Sequence, residues 1–370
     1  MSLDWTAFTA PVSLQQVQTW KLAAKASGAR WAGDNTGRIV LVLVLAVPMI
    51  AISILVGFAS IAGAIGGFGA GNSSGALSGG LALLLSLFSF GLVALMIWAC
   101  FKVFPSERRW ERWLRLDWFA RTNRMTFSPL DPKPNYVGAI FSSGESRAAV
   151  DHFRSVEGRF FDVGNFRYVV SNGKTSQTIT WGFLALNLER KLPNMFLDSI
   201  ANNSWAFSGL SRLYARDQVL SLEGDFNRYF TLYCPKQYER DALYVFTPDL
   251  MALCIDEAAP FDIEIVDDWL FVYSPRAFAM DNPQLLSRLF RIIDLVGAKA
   301  LRQTNRYQDD RVAAPFPANI VAQPGQRLRR RFPVAVIVVL ALTLVLPMVI
   351  GAIVLVTAVL GATAGGLVGH

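Results

Sequence analysis

Two long apolar runs constrain this chain more than anything else in it. Ile39 to Ile65 reads IVLVLVLAVPMIAISILVGFASIAGAI, and Leu81 to Phe104 reads LALLLSLFSFGLVALMIWACFKVF. Neither carries a charge before Lys102. At about 1.5 Å per residue each reaches roughly 35–40 Å as a helix, against about 30 Å of hydrocarbon. Core helices of soluble proteins rarely stay apolar on every face for so long, and a secretory signal is shorter and nearer the start. A third run, Val334 to Leu360, has the same character. The expectation is three transmembrane helices. Spans 39–65 and 81–104 form a hairpin (39–104) around a Gly-rich external loop, 66–80, and 332–360 is the third span.

Basic residues give this arrangement a direction. Lys21, Lys25, Arg30 and Arg38 precede the first run, Lys102, Arg108, Arg109, Arg112 and Arg115 follow the second, and Arg327, Arg329, Arg330 and Arg331 precede the third. The loop between the first two runs has none. By the positive-inside rule every basic cluster faces the cytoplasm. Segment 1–38 and domain 105–331 are then cytoplasmic and the tail 361–370 external, in a bacterial inner membrane. The stretch PSERRWERWLRLDWFARTNRM interleaves Trp110 and Trp113 with Arg108, Arg109, Arg112 and Arg115. It reads as an interfacial helix, with rings at headgroup depth and guanidinium groups on anionic phosphate. Arg327, Arg329, Arg330 and Arg331 form a second collar at the other end of the domain.

The formal net charge of +7 is read the same way, as contact with anionic lipid rather than with nucleic acid. No run carries an acid, a base or a histidine near its middle, which argues against ion-coupled transport by this chain alone. Pro48 and Pro347 are expected only to bend their helices. Three cysteines, Cys100, Cys234 and Cys254, give no disulfide framework.

Between the runs the pattern is α+β, with mostly antiparallel strands and later helices. Ser13 caps a short helix to Ser27, lying on the membrane or on the domain. SPLDPKPN is a connector, YVGAIF (Tyr136 to Phe141) a first strand and GESRAAVDHF a short helix. RFFDV and FRYVV form a hairpin about Gly164-Asn165. Asn172-Gly173 turns into a long strand that carries Ile179, Trp181, Phe183 and Ala185 on one face and ends near Pro193, before a short strand MFLDS. Gln218 to Leu222 and Arg228 to Cys234 are further strands. Thr247-Pro248-Asp249 opens a helix. DIEIV and WLFVYS form a hairpin at Asp267-Asp268, and Asn282-Pro283 opens a last helix with Leu285, Leu286, Leu289, Phe290, Ile293 and Val296 on its apolar face.

The motifs VGNFRYVV, TWGFLALNL and the F-x-x-Y-F-x-L-Y run followed by TPDLM lie within Tyr136 to Pro275. On them the chain resembles a family of uncharacterised bacterial multi-pass membrane proteins. These carry a cytoplasmic domain of unknown function between hydrophobic segments. The resemblance implies architecture and no activity.

Catalytic signatures are sparse. Gly173-Lys174-Thr175 lacks the upstream glycine and following helix of a phosphate-binding loop. His152 and His370 are the only histidines, and Cys234 and Cys254 lack metal-ligand spacing. A Cys–His nucleophile from His152 is a formal option, with an ordinary histidine and buried thiols as the preferred reading. The acids Asp256, Glu257, Asp262, Glu264, Asp267 and Asp268 match no cation loop. No cofactor or metal is expected. The reading is an integral membrane protein presenting an interaction or scaffold domain to anionic lipid and a protein partner. A membrane-tethered enzyme and an accessory transport subunit are the alternatives.

Overall fold

The computed structural model describes residues 3–32, 36–69, 73–103, 107–171, 173, 175–202, 210, 214–312 and 319–329. The third apolar run, Arg330, Arg331 and His370 lie outside the described residues.

Helix α1 (Thr6–Thr9) is followed by α2 (Leu14–Ala26). The cap on α2 is reciprocal. Gln16 N–H donates to Ser13 Oγ at 3.2 Å, and Ser13 N–H donates to Gln16 Oε1 at 2.8 Å. The two apolar runs are continuous helices, α3 (Thr36–Gly69) and α4 (Ser73–Val103). Segments Ala46–Gly66 and Leu77–Trp98 are long and apolar enough to cross a membrane. Both helices run on into the Gly-rich segment expected to be a loop, so only 70–72 fall between them.

The reason is packing. Gly in a helix interior costs up to about 1 kcal/mol relative to Ala, but here small residues let the backbones approach. Ala46, Ser53, Gly57, Ser60 and Ala64 of α3 are buried, as are Gly79, Ser86 and Ser89 of α4. Their three-, four- and seven-residue spacing is that of a tight helix seam. A Cβ on Gly57 would stand 2.9 Å from the Phe90 ring, and one on Gly79 3.0 Å from the Ala64 carbonyl oxygen. The bulky side chains stand outside: Leu55, Ile65 and Phe88 are 71%, 70% and 70% exposed.

Helix α5 (Glu107–Thr122) leads into a seven-stranded antiparallel sheet. Its strands are β1 (Met125–Asp131), β2 (Glu145–Ser155), β3 (Phe161–Ser171), β4 (Ser176–Ser199), β5 (Val219–Leu220), β6 (Phe230–Tyr233) and β7 (Asp262–Ser274). The order is β1-β2-β3-β4-β6-β5, with β7 also on β4. The long β4 holds β3 beside its first half, β6 beside its last residues, and β7 from Gly182 to Leu197. Helices α6 (Glu239–Val245), α7 (Pro248–Leu253), α8 (Pro283–Arg291) and α9 (Ala298–Thr304) follow, and α10 (Gln323–Gln326) is a final turn. The domain is mixed helix and antiparallel sheet, as expected.

Alternation along β4 divides two cores. Leu184, Leu186 and Leu188 join Phe119, Phe153, Leu286 and Phe290 under the helices. Trp181, Phe183 and Ala185 pack on the opposite face with Phe141, Phe166, Phe271 and Tyr273. The helix at Asn282-Pro283 also forms as expected, with Asn282 Oδ1 accepting from Gln284 N–H and Leu285 N–H.

Several local expectations fail, and mostly in one way: a turn signal proves to lie inside a longer strand. Gly164-Asn165 is the middle of β3, because the Asn165 amide closes two bonds with the Phe278 backbone, at 3.0 and 2.6 Å. A Cβ on Gly164 would collide with His152. Asp267-Asp268 lies inside β7, where Asp267 takes φ 52° and the pairing to β4 shifts register. Pro193 sits inside β4, at the shift between Leu192 and Met195. The expected helix GESRAAVDHF is β2, its Phe153 pairs with Phe127 of β1, and β1 takes in the first four residues of the expected connector, Ser128 to Asp131. YVGAIF forms turns rather than a strand. Gly138 lies so close to Tyr273 that no side chain fits there.

Candidate membrane-proximal site and buried polar clusters

Helix α5 presents Trp110, Trp113, Leu114 and Asp117 on one face, as its spacing predicts. That face receives the N-terminal segment. Trp20 of α2 and Trp31 of the following turn, Arg30–Ala32, stack at 5.5 Å. Trp31 meets Trp113 edge-on at 5.7 Å, Trp110 meets Trp113 at 5.4 Å, and Trp20 meets Trp110 at 6.1 Å. Such pairs contribute about 0.5–1.5 kcal/mol each beyond the area they bury. Trp20 Nε1–H donates to Asp117 Oδ2 at 2.9 Å, and the Lys21 ammonium stands 5.2 Å over the Trp110 ring. Trp110 is only 6% exposed. Its ring therefore packs inside the protein instead of standing out at headgroup depth.

The arginines expected to meet phosphate divide into two groups. Arg112 Nη1 donates to Asp151 Oδ2 at 2.7 Å and its Nε to Asp281 Oδ2 at 3.3 Å. Asp151 also accepts from Trp113 Nε1–H at 2.8 Å, its backbone turned at φ 47° in a bulge of β2. Arg115 donates to the Ala7 and Ala10 carbonyls, at 3.1 and 2.8 Å, and pairs with Glu111. At the far collar Arg327 pairs with Asp267 at 2.9 Å and Arg329 with Asp217. Leu328 between them is buried, its N–H on Asn194 Oδ1. Gln218 clamps the Arg329 backbone in both directions, at 2.8 and 2.9 Å. So Arg112, Arg115, Arg327, Arg329, Trp110 and Trp113 tie the chain to itself. Arg108 and Arg109 are exposed and lack partners among the described residues. Except for Glu111, four residues before Arg115 on the same helix, the acids that engage these arginines, Asp151, Asp281, Asp267 and Asp217, are distant in sequence, so no local pattern announces them. Trp20, on the short helix that Ser13 caps, and Trp31, in the turn after it, were not singled out from the sequence.

Three buried polar clusters lie in the sheet. His152 Nδ1 bonds Asp162 Oδ1 at 2.8 Å, and Asp162 Oδ2 accepts from Tyr136 at 2.6 Å and from Arg154 at 2.8 Å. Glu264 accepts from Ala139 N–H at 2.7 Å and Tyr273 at 2.8 Å. Burial pushes its carboxyl above the usual range, against those bonds. Asp262 Oδ1 accepts from Ser199 N–H and Asn202 Nδ2, both at 2.9 Å, while its buried Oδ2 has no partner among the described residues. Burial pushes this carboxyl up to about 7, aided by the charge of Asp198. Cys234 and Cys254 are buried free thiols, both pushed up to about 12 by burial. His152 is held by Asp162 and bonds to neither thiol among the described residues, so the Cys–His option is not assembled. No group of three or more His, Cys, Asp or Glu able to hold a metal ion occurs among the described residues.

No family model, curated protein or solved structure matches this chain. The motifs quoted from the sequence fall on β3, the middle of β4, β6 with the turn before it, and the start of α7.

Proposed function

We propose that this chain is an integral membrane protein in which α3 and α4 cross the bilayer as a hairpin. On this reading the hairpin holds the α+β domain at the cytoplasmic face as an interaction or scaffold module. One observation carries it: the hairpin buries its small residues in the seam and turns Leu55, Ile65 and Phe88 outward. In water that surface is costly at about 25 cal/mol per Å²; in hydrocarbon it costs nothing. The packing of α2 on α5 supports a common side for both ends of the hairpin. The basic residues beside both ends support the cytoplasm as that side. The third run, Val334 to Leu360, fits a further span that leaves the C-terminus external. Arg108 and Arg109 are the basic residues of the first collar left for anionic headgroups.

Topology reporters test this directly. A fusion after Gly71 and one at His370 should read external, and a fusion at Gly224, in an exposed turn, should read cytoplasmic. An external signal at Gly224, or extraction of the full chain by alkaline carbonate without detergent, would overturn the reading.

A further inference from the structure

Helix α6, the chain just after α9, and the turn at Asp309 close around a cleft of about 640 Å³. Asp241 in its wall and Asp309 behind it are already satisfied. Asp241 accepts from Tyr307 at 2.7 Å and from Arg311 at 3.0 Å. Asp309 accepts from Tyr238 at 2.7 Å and from Arg311 at 3.1 Å. Arg311 itself is fixed, lying 4.0 Å over the Tyr238 ring.

What the cleft has left is mostly donors. Arg240 and Arg306 are exposed in its lining, and neither guanidinium has a partner among the described residues. The Tyr244 hydroxyl and the Gln308 amide line the same space and are likewise unengaged among those residues. The Tyr244 ring packs 6.2 Å from that of Tyr307, which sets one wall. Asp310, exposed in the lining, is the one carboxylate there without a cation partner among the described residues. Two guanidinium groups lining one cleft beside phenol and amide donors suit an oxyanion of tetrahedral shape, because arginine's planar fork matches phosphate oxygens two at a time. A carboxylate ligand would leave some of these donors unused.

We propose that this cleft binds a phosphoryl group, with Arg240 and Arg306 as its charge partners and Tyr244 and Gln308 completing the shell. The ligand is a phosphomonoester, carried either by a soluble molecule or by a lipid headgroup. The site stands apart from the membrane reading, since α6 and α9 pack against the sheet.

The full chain in uncharged detergent micelles provides the test. Calorimetric titration uses inorganic phosphate in one arm. The other arm uses phosphatidic acid doped into the micelles, with phosphatidylcholine as its blank. Saturable binding is expected in at least one arm, weakened at least tenfold in Arg240→Gln/Arg306→Gln. It should be retained in Arg216→Gln/Arg228→Gln, which removes equal charge from exposed positions outside the cleft. Binding of inorganic phosphate identifies a soluble source, and binding of phosphatidic acid alone a lipid one. The proposal falls if neither arm saturates, if binding survives Arg240→Gln/Arg306→Gln, or if the control variant weakens it equally. All four arginines are exposed, so the thermal transition should match wild type in both variants.

Discussion

Cys234 and Cys254 are 2% and 1% exposed, and their raised thiols are almost wholly protonated at neutral pH. Neither should react with a maleimide at pH 7.5 in the folded protein, and both should react in urea. Peptide mapping, which separates them from Cys100, checks this; rapid native labelling of Cys234 would revive the thiol-enzyme alternative. Asp262 makes the sharper case. Its folded carboxyl is raised to about 7, above the unfolded value near 3.8, so the fold favours the neutral form. The stability this group contributes is fully present below pH 4 and is lost as the pH climbs from about 4 to about 7. The linkage is on the order of 4 kcal/mol. Asp262→Asn keeps an Oδ1 to accept from Ser199 and Asn202, and puts an uncharged amide where the bare Oδ2 stood. Urea denaturation at pH 5 and pH 8 should show wild type losing stability between the two relative to this variant. Parallel curves would mean that Asp262 does not titrate in this window.

The hairpin of α3 and α4 depends on its small residues rather than on its leucines. Gly79→Leu drives a branched side chain into the Ala64 backbone and the Phe68 ring and should pry the helices apart. With cysteines placed at Phe58 and Phe90, whose rings lie 5.5 Å apart, a short bifunctional maleimide should link the wild-type background efficiently and the Gly79→Leu background poorly. Equal linkage would show that the seam tolerates bulk. Most helices were legible: the Ser13 cap, the Asn282-Pro283 start and the α5 stripe all arise from residues within a turn or two, whereas GESRAAVDHF, read as a helix, is β2. Strands were legible only in part: the first half of β4 and its Trp181, Phe183, Ala185 face were expected, but not its continuation through Pro193. Gly164-Asn165, Asp267-Asp268 and Pro193 all carry turn chemistry. In β3, β4 and β7 that chemistry is absorbed by long-range contacts, namely Phe278 on Asn165 and register shifts against β4. Helix α5 was legible as an aromatic and basic helix, but its engagement was not, because Asp151 and Asp281 come to Arg112 through the fold.

Across the molecule, the tryptophan cluster joins the segment before the hairpin to the helix after it. Removing residues 1–32 should uncover Trp113 and Trp110 on α5 and raise acrylamide quenching of the remaining tryptophan fluorescence, with a lower thermal midpoint for the domain. Unchanged quenching would mean that α2 does not cover that face in solution. The same clasp also orders events in time. Trp20 and Asp117, which it joins, lie 97 residues apart in the chain. At about 5–20 residues per second, synthesis separates their emergence by roughly 5–20 seconds. Throughout that interval α2 has no α5 to pack on, and α3 and α4 emerge before α5 exists. The clasp therefore cannot close until both hairpin helices have left the ribosome, and it can act on the hairpin only after that point.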